Sequence, residues 1–213
     1  MTDSDPKNSR LANAAIEPMF TERWSSRSFQ QNSISEDQIA SLFEAARWAP
    51  SGSNRQPWAF VYATVGPDRD RFNAVLNENN SHWGPKASMI VLVFARIVDA
   101  EGKTIRTAQF DTGAAWMSLA LQAHAMGLNT RAMGGIDLDA AYDAASVSRD
   151  EFQTICAIAV GTRGSDSDIP ERMAKQNLAN DHKAVGEIAF TVTPILDNSR
   201  AAMIVKAAIP ALA

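Results

Sequence analysis

At 213 residues, with 46% hydrophobic and 21% charged side chains, the chain has the composition of one globular domain of ordinary size. A formal net charge of -4, with its lysines and arginines dispersed, excludes a nucleic-acid or anionic-membrane surface as the principal partner, because either needs a basic face. A single cysteine, Cys156, excludes a disulfide framework within one chain.

Residues 1–10 read as a loose polar tail and residues 11–213 as one domain. The tail has no apolar signal core, and the longest apolar run, near 89–95, is far too short to span a bilayer, which predicts a cytoplasmic location. Residues 11–24 predict a helix kinked near Pro18 that delivers Arg23 to the following turn. The clearest helix comes next: Ser35 as N-cap with Gln38 three residues on, then a stripe of Ile39, Leu42, Phe43 and Ala46, stopped by Pro50. Residues 57–64, rich in aromatic and branched side chains, predict a strand, and Pro67 opens a short helix containing Phe72, Val75 and Leu76. Residues 88–97 and 154–161 are nearly continuous apolar runs, the pattern of strands covered on both faces, and are expected at the centre of a sheet. Cys156 falls in the second run, as a small buried hydrophobe. Between them, 110–126 predict a helix apolar on nearly all sides, stopped by Gly127; it needs burial all round, in the centre of the chain or against a second subunit.

Three segments carry candidate chemistry. Arg23, Ser25 and Arg27 alternate, so an extended or turning backbone projects two guanidiniums and a hydroxyl to one side, which suits a phosphate; the same residues also suit a solvated basic turn. Pro50, Ser51, Gly52, Ser53 and Asn54 form a small, polar loop able to approach a flat ring, with Asn54 offering donor and acceptor, or else an ordinary helix-to-strand turn. The Gly134-Gly135 pair lets backbone amides face a ligand, or simply meets a need for positive φ. His82, His124 and His182 lack metal-ligand spacing, and no nucleophile elbow, Walker loop or dinucleotide fingerprint occurs.

Taken in order, Arg-x-Ser-x-Arg at 23–27, Ala-Pro-Ser-x-x-Asn-x-Gln-Pro-Trp at 49–58, the apolar helix ending at Gly127 and Leu128, and Met133-Gly134-Gly135 with the later Ala159-Val160-Gly161 resemble the FMN-dependent nitroreductase family across residues 11–192. The resemblance implies an α+β fold, a central and mostly antiparallel sheet wrapped by helices, in an intertwined homodimer with two FMN sites between subunits. It implies that Arg23 and Ser25 hold the FMN phosphate and ribityl side, that Arg27 and Asn80 lie toward the flavin pyrimidine, that Pro50, Ser51 and Asn54 approach from the partner subunit, and that Gly134 and Gly135 supply backbone donors toward N5 and O4. The family's C-terminal phosphate-binding arginine is replaced in residues 180–188, where His182 or Lys183 is the substitute cation. Trp83 stands where some relatives carry a lysine near the flavin, a change that bears on substrate preference.

The implied chemistry is passage of hydride from NADH or NADPH through flavin N5 to a nitroaromatic, quinone or other flat small-molecule acceptor, in ping-pong order, with no metal and no catalytic side chain of its own. Two alternatives share these motifs: a flavin-binding sensor or flavin-handling protein without NAD(P)H turnover, and a specialised relative such as a dehalogenase or flavin-fragmenting enzyme. The apolar, Ala-rich residues 201–213 are expected to lie against the partner subunit.

Overall fold

The computed structural model describes residues 8–192 and 205–207. Chain contacts divide it into two units, Arg23–Leu178 and the terminal segments Met1–Glu22 with Ala179–Ala213. In chain order the elements are α1 (Met19–Glu22), α2 (Glu36–Arg47), β1 (Trp58–Ala63), α3 (Gly66–Ala74), α4 (Glu78–Ser81), β2 (Met89–Arg96), α5 (Ala108–Ala125), β3 (Asn129–Met133), α6 (Leu138–Ala145), β4 (Phe152–Gly161), α7 (Glu171–Lys175), β5 (Phe190–Val192) and β6 (Val205–Ala207).

The larger unit is an α+β sandwich around a four-stranded sheet of order β1-β2-β4-β3, antiparallel throughout. The two continuous apolar runs become β2 and β4, its interior strands. Because side chains alternate across a strand, Ile90, Leu92 and Phe94 of β2 pack with Phe29, Phe72, Trp83 and Ala141 on the α3/α6 side, whereas Met89, Val91 and Val93 pack with Leu42 and Leu119 on the α2/α5 side. All six are at most 1% exposed, and each such burial contributes roughly 1.5–3 kcal/mol. Helix α2 begins as its sequence requires: Ser35 Oγ accepts from the Gln38 amide (3.2 Å) and Gln38 Oε1 accepts from the Ser35 amide (3.0 Å), a reciprocal cap that orients the Ile39–Leu42–Ala46 stripe inward. Cys156 is half-buried on β4 among the α2/α5 core, and burial pushes its thiol up to about 11, so no thiolate forms at neutral pH.

Three features depart from the sequence reading. The helix expected over 11–24 shrinks to α1: Pro18 restricts the residue before it and offers only a carbonyl, to which Thr21 and Glu22 donate at 3.0 and 2.9 Å, while Leu11, Ile16 and Phe20 remain exposed and bury no stripe. Residues 129–133, for which the sequence reading gave no element, form edge strand β3, since Gly127 at φ 72° turns the chain back and pairing with β4 outweighs the weak strand propensity of Asn-Thr-Arg. Helix α6 was not expected; Asp137 caps it, its Oδ1 accepting from the Asp139 and Ala140 amides, both at 3.0 Å. Helix α5 presents Ala115, Leu119 and Ala123 to the sheet and leaves Phe110 (80%) and Met117 (38%) exposed, so its own chain does not cover it all round and the second-subunit alternative stays open.

In the terminal unit, Asn8 Nδ2 donates to the Thr21 carbonyl (2.8 Å), Arg10 Nε to the Asn180 carbonyl (2.7 Å), and β5 pairs antiparallel with β6. Of the expected tail, residues 1–7 lie outside the described residues, as does the Ala-rich 201–213 segment except for β6. No helix among the described residues is long and apolar enough to cross a membrane.

Candidate functional site

Residues 23–29 adopt no regular structure, and their burial alternates. Trp24, Ser26 and Ser28 are buried at 7%, 0% and 0%, whereas Arg23, Ser25 and Arg27 are only half-buried. Long-range bonds hold the segment in this register. From one face of β3, Asn129 Nδ2 donates to the Ser26 carbonyl (3.2 Å) and Arg131, two residues on, donates to the Ser25 carbonyl. From the strand end after β4, the Gly164 amide donates to the Ser28 carbonyl (3.1 Å). From beyond α7, buried Asn177 accepts from the Arg27 amide at 2.8 Å, and its Nδ2 lies 3.1, 3.0 and 2.8 Å from Ser26 Oγ, Ser28 Oγ and Asp166 Oδ1. Ser28 Oγ donates to the same Asp166 oxygen at 2.5 Å.

One buried amide thus organises four polar partners. Replacing it removes the acceptor of the Arg27 amide and the donor shared by Ser26 Oγ, Ser28 Oγ and Asp166 Oδ1, so Asn177→Ala is expected to lower stability by about 2–4 kcal/mol, checked by urea unfolding; a loss under ~0.5 kcal/mol, the size of an ordinary surface change, would remove Asn177 from this role.

The exposed side of this segment opens on a cavity of about 240 Å³ whose lining includes Arg27, Asn80, Trp83, Arg131, Arg172 and Gln176 and no carboxylate. Three guanidiniums converge on it. Burial, and then Arg172, holds Arg27 below the usual arginine range; burial, and then Arg27, pushes Arg131 down to about 10. Arg27 Nη1 reaches the Gln176 carbonyl (3.4 Å), and Arg172 donates to Asn79 Oδ1 (3.1 Å), tying α7 to α4. Arg131 lies 5.6 Å from the Trp83 ring centroid. Trp83 is 1% exposed and stacked on Phe29 at 6.0 Å, a piece of the core that closes one wall.

Asn80 connects this cavity to the glycine pair. Its Nδ2 donates to the Gly135 carbonyl (2.8 Å), which also accepts from the Asn77 amide (3.1 Å). Gly135 is required by packing, because a Cβ there would lie 2.3 Å from Asn77 Nδ2, whereas a Cβ on Gly134 would meet nothing within 4 Å. The structure therefore brings Ser25, Arg27, Asn80 and Gly135 together, through Arg131 and Asn80.

The loop at 50–56 stands elsewhere. Ser53, Asn54 and Gln56 all have φ near +50° (54°, 55° and 49°), a left-handed conformation costly for non-glycine residues. Bonds from the Gly52 amide to Asp111 Oδ2 (3.1 Å), the Gln56 amide to Ser51 Oγ (3.0 Å) and Gln56 Nε2 to Asn54 Oδ1 (3.1 Å) maintain it. Its attachment to α5 puts it on the opposite face of the sheet from Arg131, whose neighbour Ala159 packs in the α3/α6 core. Across the sheet, Arg131 pairs with Ala159, Ala159 with Ile90 and Ile90 with Ala63, whereas the loop ends at Trp58. With strands about 4.8 Å apart and about 3.3 Å per residue, that is a diagonal of roughly 20 Å. Pro50, Ser51 and Asn54 do not reach the cavity of their own chain. His182 and Lys183 are exposed and belong to the terminal unit.

Arg131, Arg172 and Asn177 were missed from sequence. Arg131 alternates with Asn129 on a strand that the sequence reading did not predict, and Arg172 sits in a helix whose Pro170 opening is a usable signal. Asn177 lies in no pattern.

The sequence matches the profile of the nitroreductase family over residues 20–92 and 71–162, which together cover more than half the chain. The chain belongs to the nitroreductase family. Among solved structures of related chains, an oxidoreductase containing FMN is 35% identical and superposes with a TM-score of 0.82, covering 89% of this chain and 96% of that one. A candidate nitroreductase of Desulfovibrio desulfuricans in complex with FMN is 27% identical with a TM-score of 0.61, covering 74% and 95%. A curated relative from Streptomyces coelicolor, named as a candidate NADH dehydrogenase/NAD(P)H nitroreductase, is 28% identical over 90 residues; the match spans 42% of this chain and 43% of the relative. The α+β sandwich with its antiparallel sheet is thus the nitroreductase fold.

Proposed function

We propose that this nitroreductase-family chain is an FMN-dependent oxidoreductase that draws hydride from NADH or NADPH and delivers it to a flat small-molecule acceptor such as a nitroaromatic or quinone. The observation that carries the reading is the cavity lined by Arg27, Arg131 and Arg172 without a carboxylate, directly beneath the Arg-x-Ser-x-Arg segment. Three mutually repelling guanidiniums are stable neighbours when an anion joins them, and a planar cofactor with a phosphate offers negative charge and hydrogen-bond acceptors together. When bound, FMN supplies the two-electron chemistry between nicotinamide and acceptor.

The chain's own residues bind and orient. Arg23 and Ser25 present a guanidinium and a hydroxyl for the phosphate side, and Arg27 and Asn80 a charge and an amide for the pyrimidine. Gly134, with open space before it, and Gly135 offer backbone donors. Arg172 supplies, from the C-terminal part of the same unit, the cation that the resemblance seeks at His182 or Lys183.

The second half of the site comes from another copy. Pro50, Ser51 and Asn54 lie roughly 20 Å from the cavity by strand geometry, so one flavin meets both sets only if a partner presents that loop. The cavity of about 240 Å³ is smaller than the ~300–1,000 Å³ typical of complete ligand sites. Trp48 (72%) and Phe110 (80%), exposed in the α2/α5 layer, favour a homodimer through that side.

The test is purification in the presence of FMN, desalting and anaerobic titration with NADH and with NADPH. Retained flavin whose oxidised absorbance disappears with either nucleotide is the expected result. A desalted protein without flavin sinks the cofactor assignment, and retained flavin that stays oxidised sinks the NAD(P)H assignment in favour of a sensor or flavin-handling protein.

A further inference from the structure

We propose that Arg131 sets the reduction potential of the bound flavin, acting as a fixed charge that favours the reduced state. This rests on the flavin reading above. FMN that takes two electrons and one proton from NAD(P)H, which leaves as NAD(P)+, gains one negative charge relative to its oxidised form. A cation held close by stabilises that product more than the reactant, and so raises the potential.

The three guanidiniums of the cavity differ in how well they can do this. Arg172 is exposed on a five-residue helix, where water and salt screen it. Arg27 rides on an irregular segment. Arg131 stands on strand β3, half-buried, with its guanidinium over Trp83 and one Nη committed to the Ser25 carbonyl. Its position is fixed from the sheet before any ligand arrives, and no carboxylate among the lining residues neutralises it. A partly desolvated, preorganised charge acts at low effective dielectric without reorganisation, the condition under which one charge has its largest effect.

Arg131 also braces Ser25, so charge must be separated from scaffold. Arg131→Lys keeps the charge and gives up the planar fork; Arg131→Gln keeps an amide donor and gives up the charge. The experiment measures the midpoint potential of bound FMN against a reference dye, with the dissociation constants of oxidised and reduced FMN, in wild type and both variants. In Arg131→Gln the preference for reduced over oxidised FMN is expected to fall about tenfold, a potential about 30 mV lower for a two-electron couple. Arg131→Lys is expected to stay within about threefold of wild type, a shift under about 15 mV on the same conversion.

A Gln variant with unchanged potential overturns the proposal, and so does a Lys variant whose potential falls as far as that of Gln, because a lost brace then explains both. If Arg131→Gln does not fold, the Lys variant decides alone: a retained potential supports the proposal, and a tenfold loss of preference overturns it. Wild-type protein that binds no FMN overturns the flavin reading, and this assignment with it; wild type that binds FMN with a potential indifferent to Arg131 overturns this assignment only.

Discussion

Arg27→Ala is expected to weaken FMN retention by roughly 10- to 100-fold while leaving the fold intact, on the proposed flavin reading. A hydrogen bond to a charged group contributes about 1.5–3 kcal/mol, and about 1.4 kcal/mol is tenfold in affinity. The variant separates binding from folding because Arg27 is anchored by its backbone: the amide that Asn177 accepts at 2.8 Å survives the substitution. Losing the guanidinium also removes a repulsion that helps to hold Arg131 down to about 10. The ligand-free protein is therefore expected to be unchanged or slightly more stable, by less than ~1 kcal/mol. Quenching of FMN fluorescence on titration gives the affinity, and urea unfolding the stability. An unchanged dissociation constant removes Arg27 from the site; a large loss of stability means the side chain serves the fold instead.

The second large effect is on folding. Arg69 is 6% exposed on α3, and among the described residues its guanidinium bonds carbonyl oxygens. It bonds the carbonyls of Ala63, Gly84, Pro85 and Ala87 at 3.4, 3.3, 3.2 and 2.8 Å and Asn73 Oδ1 at 3.0 Å. Burial pushes it down to about 10, with the nearby Asp70 charge acting in the opposite direction. Those carbonyls belong to the end of β1 and to the turn that follows Trp83, so one side chain fastens α3, the sheet edge and the wall of the cavity.

Arg69→Met preserves the alkyl packing and orphans the acceptors. The expected cost is on the order of 3–4 kcal/mol, since each unsatisfied buried acceptor costs about 1–3 kcal/mol and some of these will find water. For a chain of this length that corresponds to a Tm lower by roughly 10 °C, at about 2–4 °C per kcal/mol. Scanning calorimetry of both proteins is the check, and a drop of less than ~2 °C, under 1 kcal/mol on that scale, contradicts the role given to Arg69.

Much of this protein is legible from local chemistry along the chain. Ser35 and Gln38 announce α2 because a capping box satisfies two end amides within four residues. The runs around Met89 and Thr154 announce the interior strands because only a strand covered on both faces tolerates unbroken apolar sequence. The alternation of Arg23, Ser25 and Arg27 with Trp24, Ser26 and Ser28 likewise follows from the two-residue period of an extended chain.

The rest required the tertiary structure, because its causes lie far apart in sequence. The bond from Arg131 to the Ser25 carbonyl spans 106 residues, and that from Asn177 to the Arg27 amide spans 150. No local period reports such pairs. Strand β3 exists through its pairing with β4, not through the propensity of its own residues, and once it exists Arg131 faces the cavity. The separation of the 50–56 loop from that cavity is likewise a property of sheet order: the segments 23–27 and 50–56, close along the chain, come to opposite edges and faces of one sheet. Residue types and their spacing determined which groups this chain has to offer a ligand. Long-range pairing alone decided which of them share a site, since proximity in a folded chain is set by packing and not by separation along it.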